Sequence, residues 1–250
     1  MTGPELTPAG VEELRLLGDV EGLTRALGPA QPPEVRRAAA ASLGDLVDPG
    51  AVEPLIGILG EKEEQVRLAA VLSLAKIGDP RAVPPLTLLL ADPDGDVRTA
   101  TVIAMGMIGD RSSVPALLSA ISDPHTPVRD AVAWALGAIK DERAVRALIR
   151  ALSDPEWHVR MEAEWALLEI GQPSVEPLIS ALHDEGIRWK AAGVLVKLGS
   201  MALEPIRTAL LGTVDPNTRQ GGEWALKKIQ ELKAKMRERD PFADRNIPKR

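Results

Sequence analysis

A Val-Arg pair recurs along the chain at a constant spacing, and this spacing restricts the possible folds more than any other feature. The pair Val35-Arg36 returns at 31-residue steps as Val66-Arg67, Val97-Arg98, Val128-Arg129 and Val159-Arg160. Two looser copies, Ile187-Arg188 and Thr218-Arg219, follow after steps of 28 and 31 residues. A fixed period of about 20–50 residues is typical of repeat arrays, in which each unit packs on its neighbours. The sequence therefore predicts a single elongated array.

The residues that follow each Val-Arg pair have the periodicity of a helix. With the Val as position zero, apolar residues fall at positions 0, +4, +8 and +11, which in the fourth copy are Val128, Val132, Leu136 and Ile139. This spacing marks one face of a helix, which we call the second helix of a repeat pair. Since no segment alternates between apolar and polar residues, the sequence predicts no strands.

A first helix is predicted between consecutive second helices. Aspartates suited to an N-cap precede its start, and prolines lie in its first turn, where the backbone N–H has no helical partner. The aspartates are Asp48, Asp79, Asp110 and Asp141, and the prolines include Pro84 and Pro115. Gly78, Gly109 and Gly171 are placed to end the preceding second helix.

These signals predict seven helix pairs within residues 18–232. The first helices are expected to begin near Val20, Val52, Val83, Val114, Val145, Val175 and Leu203. The second helices are expected to begin near Val35, Val66, Val97, Val128, Val159, Ile187 and Thr218. One further helix, about Pro8 to Leu17, is expected to cap the N-terminal end within residues 1–17. Residues 233–250 are expected to form a basic C-terminal tail that is partly disordered.

Residues 123–148, DPHTPVRDAVAWALGAIKDERAVRAL, contain the repeat pattern most completely. The pattern resembles the short HEAT-like repeats named after phycobilisome bilin lyases, and the resemblance extends over about residues 18–232. It implies an all-α fold, namely a right-handed α-solenoid whose second helices line the concave surface. Many unrelated proteins use this fold, so the resemblance indicates the fold more strongly than the activity.

The composition excludes several classes of protein. The chain has no cysteine, which excludes disulfides, thiolate catalysis and cysteine-ligated zinc. The net charge of −6 argues against a general nucleic-acid binder. Nine basic and four acidic residues give the segment from Lys227 to Arg250 a charge of +5, which leaves −11 on the rest. Without a secretory signal or an apolar run of about 20 residues, we expect a cytoplasmic protein with no membrane partner.

Seven recurrent arginines, from Arg36 to Arg219, suggest either a basic patch or a part of the scaffold. Three follow an aspartate by six residues, in the pairs Asp92 and Arg98, Asp123 and Arg129, and Asp154 and Arg160. In the HEAT-like folds that the pattern resembles, equivalent residues form an Asp–Arg ladder between the turns of neighbouring repeats. Charge-assisted hydrogen bonds of this kind are stronger than neutral ones. We therefore expect these six residues to be structural.

All five tryptophans lie between residues 134 and 224, and three of them occupy position +6. The +6 series reads Ala41, Leu72, Ile103, Trp134, Trp165, Gly193 and Trp224. At about 100° per residue, this position points away from the apolar face of the second helix. Neighbouring outward positions add Leu68, Val71, Val102, Met161 and Trp189. The sequence predicts an exposed apolar surface suited to a partner, unless curvature of the array buries these side chains between second helices.

Acidic residues accompany the tryptophans. Glu162, Glu164 and Glu223 lie beside them, and Gly193 leaves room between two tryptophan-bearing repeats. This combination predicts a groove in repeats four to seven that binds a protein or peptide, either basic or amphipathic. The residues expected to bind the partner are Leu72, Ile103, Trp134, Met161, Glu162, Glu164, Trp165, Trp189, Gly193 and Trp224.

No motif in the sequence indicates a catalyst. His125, His158 and His183 have no histidine or cysteine partner at metal-ligand spacing, and there is no nucleophile elbow or phosphate loop. We therefore expect a non-enzymatic interaction scaffold with no cofactor and no metal. Two alternatives stay open. The first alternative, which the resemblance implies, is a bilin lyase or isomerase subunit that holds a tetrapyrrole and its acceptor protein. The second alternative is a nucleic-acid binder similar to the DNA alkylation-repeat proteins, although the glutamates beside the tryptophans would repel phosphates.

Overall fold

The computed structural model describes residues 6–239, and the side chains of residues 6–235. This part of the chain contains fifteen α-helices and no strand, which confirms the predicted all-α fold class. The helices are α1 (Pro8–Leu16), α2 (Val20–Ala26), α3 (Pro33–Leu46), α4 (Val52–Gly57), α5 (Glu64–Ile77), α6 (Val83–Leu88), α7 (Gly95–Ile108), α8 (Val114–Ala120), α9 (Thr126–Ile139), α10 (Val145–Ala151), α11 (Trp157–Ile170), α12 (Val175–Ala181), α13 (Arg188–Leu198), α14 (Ser200–Gly212) and α15 (Pro216–Arg239).

The helix pairs lie where the repeat period predicts them. The first helices α2, α4, α6, α8, α10 and α12 each begin at the predicted valine. The last first helix, α14, begins at Ser200, three residues before the predicted Leu203. The additional N-terminal helix α1 packs on α2 and α3. The disorder predicted for the end of the tail concerns residues 240–250, which lie outside the described residues.

Aspartates guide the chain into the first helices. Each accepts a hydrogen bond from the backbone N–H two residues later, and each precedes a three-residue 3-10 turn that continues into α4, α6, α8 or α10. These residues are Asp48, Asp79, Asp110 and Asp141. The aspartates predicted as N-caps therefore cap the three-residue 3-10 turns, and the α-helices begin directly after these turns.

Glycines end two of the second helices in the left-handed conformation. Gly78 and Gly109 have φ values of 72° and 73° and follow α5 and α7 as C-terminal caps, as predicted. Gly171 also has a positive φ of 74°, but its ψ of −127° is not left-handed helical. The chain therefore leaves α11 by a different route from the one it takes after α5 and α7.

The chain divides into two compact units, Met1–Ile139 and Lys140–Arg250. The first unit contains α1 to α9 and the second contains α10 to α15. Within each unit, consecutive second helices pack side by side, and each first helix packs on the second helix of its own pair. Each unit is thus a stack of helix pairs. The repeat period does not indicate this division, because the step from Val128 to Val159 that contains it is 31 residues like the steps before it.

The +8 position supplies the centre of the core in both units. Its side chains are fully buried at Leu43, Leu74, Met105 and Leu136 in the first unit and at Leu167 and Leu195 in the second. Burial of a leucine or methionine side chain stabilises a fold by about 1.5–3 kcal/mol. The apolar face predicted for the second helices is therefore the face that forms the core.

Two positions expected to point outward are buried instead. Val71 and Val102 are 0% exposed, although both were expected beside the tryptophan series. Helices α3, α5 and α7 lie side by side, and a Cβ at Gly44 of α3 would be only 2.7 Å from the Cα of Ser73 in α5. Because second helices approach this closely, side chains at position +5 are covered laterally. The outward expectation was wrong for these two valines.

Candidate functional site

Arginines of the second helices join the turns of adjacent repeats. Arg98 donates from Nε and Nη2 to the two carboxylate oxygens of Asp123, at 2.9 Å each. Its Nη1 donates to the backbone carbonyl of Asp92 at 2.8 Å. Arg67 makes the same set of contacts, with the Asp92 carboxylate at 2.8 and 3.0 Å and the Glu61 carbonyl at 2.8 Å. Each turn aspartate thus offers its carboxylate to the preceding arginine and its carbonyl to the arginine of its own repeat.

The turn aspartate is held in place by the turn itself. Oδ1 of Asp123 accepts a hydrogen bond from the backbone N–H of His125 at 2.8 Å. Burial by itself raises the pKa of Asp123, but the hydrogen bonds from Arg98 and His125 outweigh burial, so this pKa lies below its ordinary value. The hydrogen bonds that Arg98 donates to the Asp123 carboxylate raise the pKa of Arg98. Both partners are therefore ionised at neutral pH.

The acceptor differs at two other arginines of this series. Arg36 pairs with Glu61 at 2.7 Å and Glu63 at 3.1 Å instead of an aspartate. Arg188, which is nearly buried, donates from Nη1 to the amide oxygen of Gln220 at 2.7 Å. The arginine is therefore constant, whereas its acceptor changes from repeat to repeat.

Arg160 keeps the backbone carbonyl contacts of this arginine series. Its Nη1 donates to the backbone carbonyls of Asp154 and Pro155, both at 2.7 Å. Among residues 6–235, no carboxylate lies within ion-pair distance of Arg160, and no side chain accepts from its Nε or Nη2. Arg160 was expected to belong to the structural ladder. Of the two kinds of contact that Arg98 makes, it forms the hydrogen bonds to backbone carbonyls but not those to a carboxylate among the described residues.

Large apolar side chains form an exposed stripe along α11. Trp157, Met161 and Trp165 follow one another at four-residue intervals, which places them on one helix face. Trp157 and Met161 are each more than half exposed, and Trp165 is 38% exposed. Trp157 also stacks on His158, with ring centroids 3.9 Å apart. A row of exposed tryptophan and methionine side chains is unusual on a surface that contacts only water.

Two further tryptophans extend this surface to the adjacent second helices. Trp189 of α13 meets Trp224 of α15 edge to face, and both are more than a third exposed. One turn after Trp189, Gly193 leaves open space, since a Cβ at that position would have no heavy atom within 4 Å. The exposed face of α11, α13 and α15 therefore carries four partly exposed tryptophans and a glycine with open space beside it.

A cleft of about 400 Å³ lies on this face. It is lined by Leu152, Trp157, Arg160, Met161, Glu164, Trp189, Lys190, Gly193 and Lys197. We call it the α11–α13 cleft. A volume of this size lies in the range of small-ligand and side-chain pockets, which is about 300–1,000 Å³.

The charge of the α11–α13 cleft differs from the sequence expectation. Glu164, expected to make the groove acidic, forms an ion pair with Lys197. Lys190 donates from Nζ to the hydroxyl of Ser153 at 3.2 Å, and Arg160 adds a third cation. Three cations and one carboxylate therefore line the cleft, so its own charge is positive. Glu162, also predicted in the groove, is half-buried and has an interaction partner.

Three of the residues predicted to bind a partner belong to the first unit. Leu72 is about half exposed, whereas Ile103 and Trp134 are half-buried. The ring of Trp134 occupies space left by Gly106, where a Cβ would lie 2.6 Å from Cζ3 of the tryptophan. Trp134 therefore contributes to the packing of α9 on α7, which is a structural contact that its repeat position alone does not reveal.

Sequence reasoning missed some residues of the α11–α13 cleft. Trp157 stands two residues before the repeat valine, at a position that holds Glu64, Gly95 and Thr126 in earlier repeats. A tryptophan where these earlier repeats have small or polar residues could have identified Trp157 as a candidate for the binding surface. Lys190 and Lys197 had no such signal, because lysines on helix surfaces are common and only the folded chain places these two beside Arg160.

The described residues contain no group of three or more histidine, cysteine, aspartate or glutamate side chains that could hold a metal ion. Within the same residues, no helix is both long enough and apolar enough to cross a membrane. A second cleft of about 410 Å³ lies on the first helices of the second unit, lined by residues such as Ile149, Pro177 and His183. It contains none of the tryptophans.

The sequence and the fold both match known repeat proteins. The HEAT repeats family matches residues 20–105 and 83–168, which together span more than half of the chain. None of the curated proteins compared matches the chain significantly.

Several solved structures share the fold. The complex of CpcE and CpcF of phycocyanin lyase from Nostoc sp. is 24% identical, with 92% of this chain and 97% of that chain covered and a TM-score of 0.56. The YibA protein of Escherichia coli is 24% identical, with 88% and 85% covered and a TM-score of 0.55. A designed armadillo repeat protein in complex with the peptide (KR)4 is 20% identical, with 84% and 99% covered and a TM-score of 0.51. At these identities the likeness is one of fold, and it does not carry the lyase activity to this chain.

Proposed function

Because the chain belongs to the HEAT repeats family, we propose that it is a non-enzymatic scaffold that binds a protein partner through its second unit. The binding surface is the exposed face of α11, α13 and α15, with the α11–α13 cleft at its centre. The bound segment is a short amphipathic peptide of the partner. Its apolar side chains lie against Trp157 and Trp189.

The vacant position at Gly193 is the observation that carries this proposal. A glycine within a helix costs about 0.5–1 kcal/mol relative to alanine, and here no neighbouring atom requires it. By contrast, a Cβ at Gly44 would lie 2.4 Å from the hydroxyl of Ser73, so that glycine is needed for packing. At Gly193 the space faces the cleft instead, and we infer that a partner side chain fills it.

The surrounding tryptophans suit a binding surface. Tryptophan buries about 150–250 Å² when covered and is enriched among the residues that contribute most to protein interfaces. Trp157, Trp165, Trp189 and Trp224 keep between 37% and 55% of their surface exposed. A partner that covers them would remove this apolar area from water, which favours association.

The charge of the cleft selects the type of peptide. The designed armadillo repeat protein of similar fold is in complex with the basic peptide (KR)4. In this chain Arg160 and Lys190 line the cleft, and the one carboxylate is neutralised by Lys197. A basic segment would meet like charges there, so of the two partner types expected from the sequence we favour an amphipathic peptide.

Selection from a library of random peptides tests the proposal. Peptides selected on the wild-type chain should share apolar residues and should lose binding to Gly193→Leu, because the new side chain fills the vacant position. Gly57→Leu is the matched control, since a Cβ at that glycine also meets no atom within 4 Å and Gly57 lies in α4 of the first unit. Unchanged binding to Gly193→Leu, with both variants folded, would show that the α11–α13 cleft is not the binding site.

A further inference from the structure

We propose that the α11–α13 cleft binds an acidic side chain, aspartate or glutamate, of the partner peptide through the open edge of Arg160. The inference rests on the proposed function, because it specifies the chemistry of the segment that occupies the same cleft. The edge in question is the one formed by Nε and Nη2 of the guanidinium group.

The guanidinium group of Arg160 is held in the same way as that of Arg98. In both residues Nη1 donates to the carbonyls of the two residues that begin the preceding turn, which for Arg160 are Asp154 and Pro155 at 2.7 Å each. In Arg98 the other edge, Nε and Nη2, binds the carboxylate of Asp123 at 2.9 Å. In Arg160 that edge meets no acceptor among the described side chains.

The arginine without a carboxylate acceptor among the described residues stands before the shortened repeat. The carboxylates that pair with Arg67 and Arg98 both stand 25 residues later in the chain. The step after Arg160 is three residues shorter, and the turn aspartate of the next repeat is Asp184, four residues before Arg188 instead of six. The residue 25 positions after Arg160 is Glu185, which forms no ion pair with Arg160. Asp184 still closes its turn by accepting from the backbone N–H of Gly186 at 2.8 Å. It forms no ion pair with Arg160.

A carboxylate from a partner would complete the arrangement. Arg–carboxylate pairs with two parallel hydrogen bonds are among the strongest that proteins form, and their geometry matches the fork of Nε and Nη2. The backbone carbonyls of the turn already fix the arginine, so binding of a carboxylate costs little additional side-chain entropy. The ligand would therefore take the place that Asp123 holds beside Arg98.

The rest of the cleft supports the same ligand. Lys190 is tethered to Ser153, the residue just before the turn that holds Arg160, so a second cation lies on the same side. Trp157, Met161 and Trp189 line the remainder of the cleft. An aspartate or glutamate flanked by leucine-like residues fits this combination of two cations and an apolar wall.

Two blocked pentapeptides test the inference, acetyl-Leu-Leu-Asp-Leu-Leu-amide and the same peptide with Asn in place of Asp. Titration of the full chain, followed by the indole N–H resonances of Trp157 and Trp189, gives the dissociation constants. We expect the Asp peptide to bind about tenfold more tightly than the Asn peptide, because only the Asp carboxylate can form a charge-assisted bidentate contact. This difference in affinity should shrink in high salt. Arg160→Gln should abolish the preference for Asp. Arg150→Gln, which changes an exposed arginine of α10 outside the cleft, should keep it.

The outcomes separate the two proposals. If both peptides shift the tryptophan resonances equally and Arg160→Gln changes nothing, the acidic-ligand inference is wrong, while binding of apolar peptides at this surface stands. If neither peptide shifts the resonances, the cleft does not take peptides, and both proposals fail. Tighter binding of a third peptide with central Lys would also overturn the inference. The comparison of Asp and Asn peptides on the wild-type chain needs no variant, so it is decisive even if Arg160→Gln does not fold.

Discussion

Trp189 and Trp224 meet edge to face, with ring centroids 5.8 Å apart and ring planes inclined at 81°. They stand on α13 and α15, which are adjacent second helices of the second unit. Edge-to-face pairs are favoured by the charge distribution of the aromatic rings. The contact therefore fixes the orientation of Trp189 beside the α11–α13 cleft without burying it.

The two tryptophans should be energetically coupled. Trp189→Ala and Trp224→Ala together should destabilise the fold by about 0.5–1.5 kcal/mol less than the sum of the single changes, because the second change removes a contact already lost. Urea unfolding of the four proteins in the double-mutant cycle measures the coupling. Strictly additive effects would mean that the two rings do not interact in solution.

Trp134 and Trp165 share a repeat position but should respond differently to substitution. Trp134→Ala should destabilise the fold by about 1–3 kcal/mol, since its half-buried ring packs over Gly106. Trp165→Ala should leave helicity and melting temperature nearly unchanged and should weaken binding of peptides selected on the wild-type chain. Circular dichroism and peptide titration separate the two effects. Unfolding of Trp165→Ala would assign that residue to the core instead.

Alanine should have opposite effects at two helical glycines. Gly106→Ala places a Cβ 2.6 Å from the Trp134 ring and 3.0 Å from the Cα of Ala135, so it should destabilise the first unit by about 1–3 kcal/mol. Gly193→Ala meets no atom within 4 Å and should stabilise the second unit by about 0.5–1 kcal/mol. Thermal unfolding of both variants measures the signs. A stabilising Gly106→Ala would contradict the close approach of α7 and α9.

Loss of a paired ladder arginine should lower stability. Arg98→Gln leaves the mostly buried Asp123 carboxylate without its cation, which should cost about 2–4 kcal/mol. For a chain of this length, each kcal/mol corresponds to a change of about 2–4 °C in melting temperature. Scanning calorimetry measures it, with Arg37→Gln, an exposed neighbour of Arg36, as control. A fall no larger than that of the control would assign Arg98 a role other than structural.

The same ion pair makes stability depend on pH in the acid range. The pKa of Asp123 is lowered in the folded chain, so its contribution is present above the unfolded pKa of about 3.9 and is lost as the pH falls through the folded value. Asp123→Asn should therefore lower the melting temperature at pH 7. At about pH 2.5, which is below the unfolded pKa, the difference from wild type should be smaller, because protonation of this carboxyl in the unfolded chain removes part of its contribution to stability. A difference that is constant across this range would contradict the lowered pKa.

Much of the fold follows from residues that recur. The Val-Arg spacing, the +8 apolar residues and the turn aspartates predicted the helix pairs, and six of the seven first helices begin at the predicted valine. These features are local, since a cap or a helix face involves residues within about four positions of each other. The outward direction of Val71 and Val102 was predicted wrongly because their burial depends on the distance between neighbouring helices, which periodicity does not contain.

By itself, the sequence determined the repeat, the helix pairs, the buried face and the concentration of tryptophans in the C-terminal half. It also marked the shortened step after Arg160, but not its consequence. Only the tertiary structure decided that Glu164 is neutralised by Lys197 and that Lys190 and Trp157 join the cleft. It also decided that Arg160, unlike Arg98, has no carboxylate partner among residues 6–235. The reason is physical: the pairing of side chains about 25 residues apart depends on how the helices stack, and the sequence pattern does not contain that stacking.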